Sequence, residues 1–319
     1  MKLVTFSKEG YKRIGALYPN DEIVDLNYAY QALLESEGKL RSEQIANAYV
    51  PAVMVDFLQG GKESLVLAKK AADYAIDNRK SFRHTLIHAI EDVKLEAPVQ
   101  NPGKIICVGQ NYREHIAEMG RELPQFPVIF AKFTNAVIGP QDDIPFFPIS
   151  EQLDYEAEFA FVVGQRTRHV SQEDALDYVA GYTIANDVTY RDIQRRTIEW
   201  LQGKTVEGSA PMGPWLVTSD ELPNPSGLNV RLTVNGEERQ NTNTSNFVFN
   251  VKYLVEFLSN LMTLEPGDIV LTGTPGGVGF ARSPQVFLKD GDVVKIEIDK
   301  IGYLENRVRR VVEGNRIGY

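Results

Sequence analysis

Acidic residues with the spacing of a strand are the first feature of this sequence that suggests chemistry. Glu156 and Glu158 stand two residues apart at the start of an apolar run. Residues i and i+2 of a strand face the same side, and adjacent like charges are unfavourable unless a cation neutralises them. Asp187, at the end of another apolar run, adds a third carboxylate. Three carboxylates with waters suit Mg²⁺ or Mn²⁺, whereas two glutamates alone are more typical of a solvated strand face.

Polar and basic side chains follow Asp187 in the chain. Arg191 and Gln194 are three residues apart and would share one face of a helical turn. Arginine offers a planar fork to carboxylates, and glutamine adds a neutral donor. Lys204 comes shortly afterwards. These three residues are candidates for a functional role. The alternative, which spacing alone also permits, is a surface arginine on a short helix and a solvated lysine.

A histidine and a glutamate form a second candidate group. If residues 112–119 are helical, His115 and Glu118 lie one turn apart on one face. A carboxylate beside an imidazole sets its tautomer and raises its basicity, as a general base requires. An ordinary surface pair would have the same spacing. Cys107 lies nearby in an apolar strand run, where a free cysteine is more often inert packing than a nucleophile.

The glycine-rich segment 271–279 follows a predicted strand. It lacks both the ending of a P-loop and the glycine spacing of a dinucleotide-binding turn. Its backbone N–H groups and the Thr274 hydroxyl would suit a small carboxylate. A plain structural turn is the equal alternative.

Composition limits the class of partner. The 319 residues contain 34 Lys and Arg against 43 Asp and Glu, a net charge of -9, which argues against nucleic acid as a partner. The single cysteine excludes an intramolecular disulfide and fits a reducing compartment. The N-terminus lacks the apolar core of a signal peptide, and no stretch approaches the roughly 20 apolar residues of a membrane span. We therefore expect a cytoplasmic protein that does not insert into membranes.

The elements that must position these residues divide the chain in two. Residues 1–30 read as short strands, and 28–40 and 64–78 as helices. The prolines and glycine of 97–103 indicate a linker, so we predict a small domain over 1–100 and a second over 101–319. The second domain alternates short strands with Gly and Pro turns, with helices predicted at 172–180 and 250–261. This pattern indicates an α+β fold rich in β-strands.

The motifs in series resemble the fumarylacetoacetate hydrolase family over residues 100–310. They are 104–118, 154–158, 181–194, Lys204 with 211–215, 234–236, 264–275 and 277–279. The resemblance implies a β-rich mixed-sheet roll with a small N-terminal α/β domain and, usually, a homodimer. It also implies roles for individual residues: Mg²⁺ or Mn²⁺ held by Glu156, Glu158 and Asp187; a water-activating pair, His115 and Glu118, on a lid; an oxyanion-stabilising Lys204; and substrate contacts from Arg191, Gln194 and Thr274.

The resemblance also predicts the reaction. Members that cleave fumarylacetoacetate carry an extra acid upstream of the histidine, and 108–111 contains none, so the acylpyruvate-hydrolysing and oxaloacetate-decarboxylating branch is closer. We expect a metal-dependent hydrolase that cleaves a C–C bond in small 2-oxo acids such as acylpyruvates. The alternative is an oxaloacetate decarboxylase, or an isomerase or hydratase of related 2-oxo diacids. A catalytically silent scaffold ranks below both, because none of the expected polar residues is missing.

Overall fold

The computed structural model describes residues 1–82, 86–118, 120 and 122–312, without the side chain of His115. It has the predicted α+β architecture, dominated by sheets. A 12-stranded sheet has the order β4-β3-β2-β1-β14-β12-β11-β17-β6-β7, with β5 paired to β1 and β8 to β14. A five-stranded sheet has the order β16-β15-β18-β19-β9, and β10 pairs with β13.

The bounds of these elements are as follows. The strands are β1 (Lys2–Lys8), β2 (Tyr11–Tyr18), β3 (Glu22–Asp25), β4 (Ile87–Ala89), β5 (Lys94–Glu96), β6 (Ile105–Gly109), β7 (Val128–Lys132), β8 (Val137–Ile138), β9 (Ile144–Phe146), β10 (Leu153–Asp154), β11 (Ala157–Val163), β12 (Val179–Asn186), β13 (Thr189–Tyr190), β14 (Ala210–Thr218), β15 (Asn229–Val234), β16 (Glu237–Asn243), β17 (Ile269–Leu271), β18 (Val293–Ile298) and β19 (Gly302–Arg310). The α-helices are α1 (Leu26–Ser36), α2 (Ser42–Tyr49), α3 (Met54–Gln59), α4 (Gly61–Asp77), α5 (Arg79–Phe82), α6 (Arg113–Glu118), α7 (Arg191–Arg195), α8 (Leu201–Lys204) and α9 (Val251–Leu261).

Strand β11 separates two hydrophobic cores because its side chains alternate. Phe159 and Phe161 enter a core shared with the five-stranded sheet and α9. Ala160 and Val162 enter a core shared with the N-terminal helices. Glu158 has the same parity as the two small residues, so it lies on the second face, at the strand end where the site forms.

The N-terminal residues join the large sheet directly. Strand β1 pairs antiparallel with β14, with Leu3 opposite Leu216. Leu33 of α1 and Ala71 of α4 are buried in the same core as Ile269 of β17. Backbone pairing and a shared core therefore connect the two parts of the chain, and the division at residue 100 stays a prediction.

Helices predicted at 28–40, 64–78 and 250–261 correspond to α1, α4 and α9. The prediction of a helix at 172–180 was wrong: a short 3-10 turn over Ala175–Tyr178 leads into β12. Strand β12 pairs with β11 on one side and β14 on the other, so the sheet decides its conformation. In the described part of the chain, no helix has the length and apolar character needed to cross a membrane.

Candidate metal centre and active-site cavity

Three carboxylates meet where β11 begins and β12 ends. Glu156 immediately precedes β11, Glu158 lies within it, and Asp187 immediately follows β12. The Asp187 N–H donates to the Glu156 carbonyl oxygen at 2.9 Å, which ties the two strand ends together. One oxygen from each carboxylate lies within 4.8 Å of the others, and all three residues are buried. The antiparallel pairing thus brings together residues that are about thirty positions apart in the chain.

Two lysines compensate part of this charge. The Lys204 ammonium lies 2.6 Å from both Glu156 Oε2 and Asp187 Oδ2. Burial lowers the pKa of Lys204, but the charges of Asp187 and Glu156 outweigh burial and raise it overall. Lys132 Nζ lies 2.8 Å from Asp187 Oδ1. Lys132 was not predicted as a site residue. Its position at the end of a largely apolar strand could have indicated a buried, paired lysine.

Arg191 connects Glu156 to a fourth buried carboxylate, Asp154. Its Nη1 lies 2.7 Å from Glu156 Oε1, and its Nε lies 2.8 Å from Asp154 Oδ2. These two carboxylates hold the pKa of Arg191 above its usual range, against the effect of burial. The remaining nitrogen, Nη2, is buried and makes no hydrogen bond to any residue that the structure describes. Because an unsatisfied buried donor is costly, this nitrogen is suited to an acceptor supplied by a ligand.

Glu158 receives less compensation than the other carboxylates. Its Oε2 accepts a hydrogen bond from the Gly273 N–H at 2.6 Å. Among the described residues, no lysine or arginine forms an ion pair with it. Burial raises the pKa of Glu158 well above its usual value, and the charges of Asp187 and Glu156 raise it further. Counted over the described residues, the centre has four carboxylates against three cations, and Glu158 is the carboxylate without an ion pair.

The donor set fits a hard divalent cation. Carboxylate oxygens are the ligands that Mg²⁺ and Mn²⁺ prefer. Around an octahedral ion with metal–oxygen distances of about 2.1 Å, two ligand oxygens are at most about 4.2 Å apart. The spacing of up to 4.8 Å found here is close enough for small side-chain movements to bring all three carboxylates onto one ion. Such an ion would also compensate the charge of Glu158.

A cavity of about 120 Å³ opens beside the carboxylates. Its polar lining includes Glu156, Glu158, Arg191, Gln194, Lys204 and Thr274, and its apolar lining includes Val108, Ile116, Phe130, Trp200 and Phe280. The cavity is smaller than the roughly 300–1,000 Å³ typical of drug-sized ligands, so it suits a compact acid. The structure thus places six of the predicted polar residues around one space, and Asp154, which was not predicted, binds Arg191 from behind.

The predicted substrate-contacting residues have partners of their own. Gln194 Oε1 accepts from Arg191 Nη1 at 3.2 Å, as their shared helical face predicted. The Thr274 hydroxyl oxygen accepts from Gln240 Nε2 at 2.9 Å, and Gln240 also holds the carbonyl oxygen of Pro275. Gln240, which sequence reasoning missed, therefore sets the position of the glycine-rich turn at the cavity.

Of the predicted general base His115 and its orienting carboxylate Glu118, only Glu118 has a described side chain. Helix α6 contains both His115 and Glu118, but the side chain of His115 lies outside the described residues. The Glu118 carboxylate accepts from the Gly277 N–H, at 3.0 and 3.2 Å to its two oxygens. This contact joins α6 to the glycine-rich turn. The Cys107 thiol is fully buried, and burial, followed by the charge of Asp187, raises its pKa, which supports a packing role.

A family model, that of the fumarylacetoacetate (FAA) hydrolase C-terminal domain, matches residues 104–309. The chain belongs to the fumarylacetoacetate hydrolase family. One protein that the chain resembles is the oxaloacetate tautomerase YisK of Bacillus subtilis. The two are 38% identical over 97% of this chain and 100% of the relative. The mitochondrial oxaloacetate tautomerase fahd2 of Xenopus laevis is 44% identical over 82% of this chain and 81% of the relative.

A solved structure from the same family supports the fold. Maleylpyruvate hydrolase from Sphingobium sp. SYK-6, in complex with manganese (II) ion and pyruvate, is 28% identical to this chain. The match covers 98% of this chain and 100% of that one, with a TM-score of 0.74. The resemblance to this family predicted from the sequence is thus confirmed, and the chain belongs to a family of enzymes.

Proposed function

We propose that this protein is a divalent-metal-dependent enzyme that interconverts the keto and enol forms of a small 2-oxo diacid such as oxaloacetate. The observation that carries the proposal is the convergence of Glu156, Glu158 and Asp187 with the free Arg191 Nη2 at one small cavity. The relatives named as oxaloacetate tautomerases support it, one of them matching over its full length.

The chemistry moves one proton. From keto to enol, the C3–H bond breaks and its electrons form the C2=C3 double bond. The C2=O bond becomes single, its oxygen gains the proton, and no atom enters or leaves the molecule. A Mg²⁺ or Mn²⁺ ion on the three carboxylates would act as a Lewis acid that polarises the 2-oxo group. Arg191 Nη2 and Gln194 would bind the adjacent carboxylate. The Lys204 ammonium, which lines the cavity, would stabilise the negative charge that develops on the enolate oxygen.

A proton transfer of this kind also needs a base. We assign this role to His115, oriented by Glu118, as the sequence motif predicts. In support, Glu118 is held by the Gly277 N–H, and Ile116 of the same helix lines the cavity. Thr274 would contact the substrate from the glycine-rich turn. The roles of these residues remain proposals.

Hydrolysis of an acylpyruvate, the reaction first expected from the sequence, is the second candidate. Similarity to a maleylpyruvate hydrolase favours it. Hydrolysis needs the base to activate a water, whereas enolisation needs it only to take the C3 proton. Decarboxylation of oxaloacetate reaches the same type of enolate, because the departing CO₂ leaves its bonding electrons on C3.

One assay compares the three reactions. Purified protein is treated with EDTA and reloaded with Mg²⁺ or Mn²⁺. Loss of enol absorbance from oxaloacetate, pyruvate release and acylpyruvate cleavage are then followed in parallel. We expect metal-dependent tautomerisation to be the fastest. Faster acylpyruvate cleavage, or tautomerisation that persists in EDTA, would overturn the proposal.

The proposed partner is a small-molecule 2-oxo acid. The absence of nucleic acid and membrane partners stays a prediction. The cytoplasmic location also stays a prediction, and several relatives are named as mitochondrial. Fractionation of the cells that make the protein would test the location.

A further inference from the structure

A second arginine lies at the mouth of the cavity. Helix α7 places Arg195 four residues after Arg191, so both side chains lie on one face of the helix, one turn apart. Both line the cavity, but Arg191 is buried and Arg195 is exposed. The Arg195 guanidinium lies over the ring of Phe280, 4.6 Å from its centroid. An aromatic ring below a guanidinium orients it while leaving its N–H groups free.

The Phe280 platform is anchored to the deep part of the site. The N–H groups of Gly279 and Phe280 donate to the two oxygens of Asp154, at 2.8 and 2.9 Å. Asp154 also binds Arg191 Nε. One buried carboxylate thus holds both the inner arginine and the loop on which the outer arginine rests, so the two guanidinium groups have a defined relative position.

Arg195 is the cavity cation whose charge is not compensated. Arg191 and Lys204 are each paired with carboxylates. Across the described residues, Arg195 forms neither an ion pair nor a hydrogen bond. The neighbouring Arg196 does have a partner, since its Nε donates to Gln202 Oε1 at 2.7 Å. Arg196 is also not among the residues that line the cavity.

The other described walls of the cavity carry no positive charge: they are apolar, acidic or, as at Gln110 and Thr274, neutral and polar. Phe130 and Trp200 pack edge to face, with ring centroids 5.4 Å apart, and both line the cavity. Ile116 adds a third apolar wall. A ligand carboxylate facing these side chains would lose its hydration without gaining a hydrogen bond, which is costly. A carboxylate facing Arg195 would gain a charge-assisted hydrogen bond.

We propose that Arg195 binds the second carboxylate of a 2-oxo diacid and so makes the site select diacids over monoacids. This inference rests on the proposed function. Side chains one helical turn apart begin about 5–6 Å from each other. The two long side chains therefore start close enough together for their guanidinium groups to reach the two ends of one short diacid. Arg191 would bind the carboxylate next to the 2-oxo group, and Arg195 the distal one.

The test compares two substrates across four proteins. Wild type, Arg195→Gln, Arg195→Lys and the control Arg196→Gln are loaded with Mg²⁺. Tautomerisation of oxaloacetate is followed by enol absorbance, and exchange of the C3 protons of 2-oxobutanoate is followed by NMR in D₂O. The readout is the ratio of kcat/KM for the diacid to that for the monoacid.

We expect Arg195→Gln to lower this ratio about 10- to 100-fold, mainly through a higher KM for oxaloacetate, the range expected for one hydrogen bond to a charged group. Arg195→Lys should restore part of the ratio, and Arg196→Gln should keep the wild-type ratio. An unchanged ratio in Arg195→Gln, with an active wild type, would overturn the role of Arg195 alone. A wild type inactive on both substrates would overturn the proposed function and this inference with it.

Discussion

Glu158 is the carboxylate of the centre whose charge the protein compensates least. Burial and the neighbouring Asp187 and Glu156 raise its pKa. A carboxyl group with a raised pKa favours the folded state when protonated, so the metal-free protein loses stability as pH rises from the usual carboxyl range through this raised pKa. Under the proposed function, this loss of stability accompanies a site suited to a cation.

We predict that Glu158→Gln raises the melting temperature in EDTA at neutral pH and removes the increase that Mg²⁺ causes in wild type. The amide is neutral and its oxygen can still accept from Gly273. Differential scanning fluorimetry, with and without Mg²⁺, measures both effects. Glu305→Gln, at an exposed position on β19, is the control. A Glu158→Gln protein that is less stable in EDTA and still responds to Mg²⁺ would refute this account.

Lys132 is the buried residue with the clearest structural consequence. It is 1% exposed, and its Nζ contacts Asp187 Oδ1 and the Val188 carbonyl oxygen. Removing one partner of a buried ion pair typically costs about 3–5 kcal/mol. We predict a loss of that size for Lys132→Met in urea unfolding of the metal-free protein. Lys295→Met, which breaks a half-exposed pair with Glu297, should cost at most about 1 kcal/mol. Equal losses in the two variants would contradict the prediction.

At the level of elements, we expect α6 to be the movable side of the cavity. Its described side chains are exposed except for Ile116, and its Glu118 accepts a hydrogen bond from the Gly277 N–H. Segments with few buried contacts open at low free-energy cost. The lid predicted from the sequence over residues 112–125 includes α6, and we expect it to close over a bound ligand and exclude water.

We predict that hydrogen exchange of the α6 amides slows when Mg²⁺ and oxalate are added together. Oxalate resembles the enolate of a 2-oxo acid, so it should favour the closed arrangement. The amides of α9, which is packed into the core away from the cavity, should be unaffected. Strong and equal protection of α6 with and without the ligand would mean that this helix does not move.

At the scale of the whole molecule, the first hundred residues complete the sheet that carries the site. Strand β1 pairs with β14, and side chains such as Leu3 and Leu33 lie in one core with Val162 and Leu216. Removing residues 1–100 would expose that core and leave the end of β14 at Leu216 and Val217 without its β1 neighbour. Unpaired apolar edges promote aggregation.

We therefore predict that a chain starting at residue 101 is insoluble or loses cooperative unfolding when expressed alone. Solubility and a thermal melt of the truncated chain measure this outcome, with the full chain as the reference. A soluble truncated protein with a sharp transition would support an independent catalytic domain. The homodimer also stays a prediction, which light scattering tests directly: the full chain should have twice the monomer mass.

The sequence by itself determined the features that depend on local geometry. The alternation of β11 required Glu158 to face away from Phe159, and the helical spacing of Arg191 and Gln194 placed them on one face. The order of the motifs identified the family, which the match over 104–309 confirmed. These inferences succeeded because a strand repeats every two residues and a helical turn about every 3.6, whatever the rest of the chain does.

Only the tertiary structure decided how the charges are arranged. Lys132 meets Asp187 across 55 residues, and Arg191 meets Asp154 across 37, through strands whose pairing no local pattern specifies. The same reason explains the error at 172–180, where the predicted helix ends early because β12 begins at Val179, paired with Val163 of β11. Local spacing indicates which side chains share a face. The pairing of distant strands decides which opposite charges meet, and therefore which of them, Glu158 and Arg195, are left for a ligand.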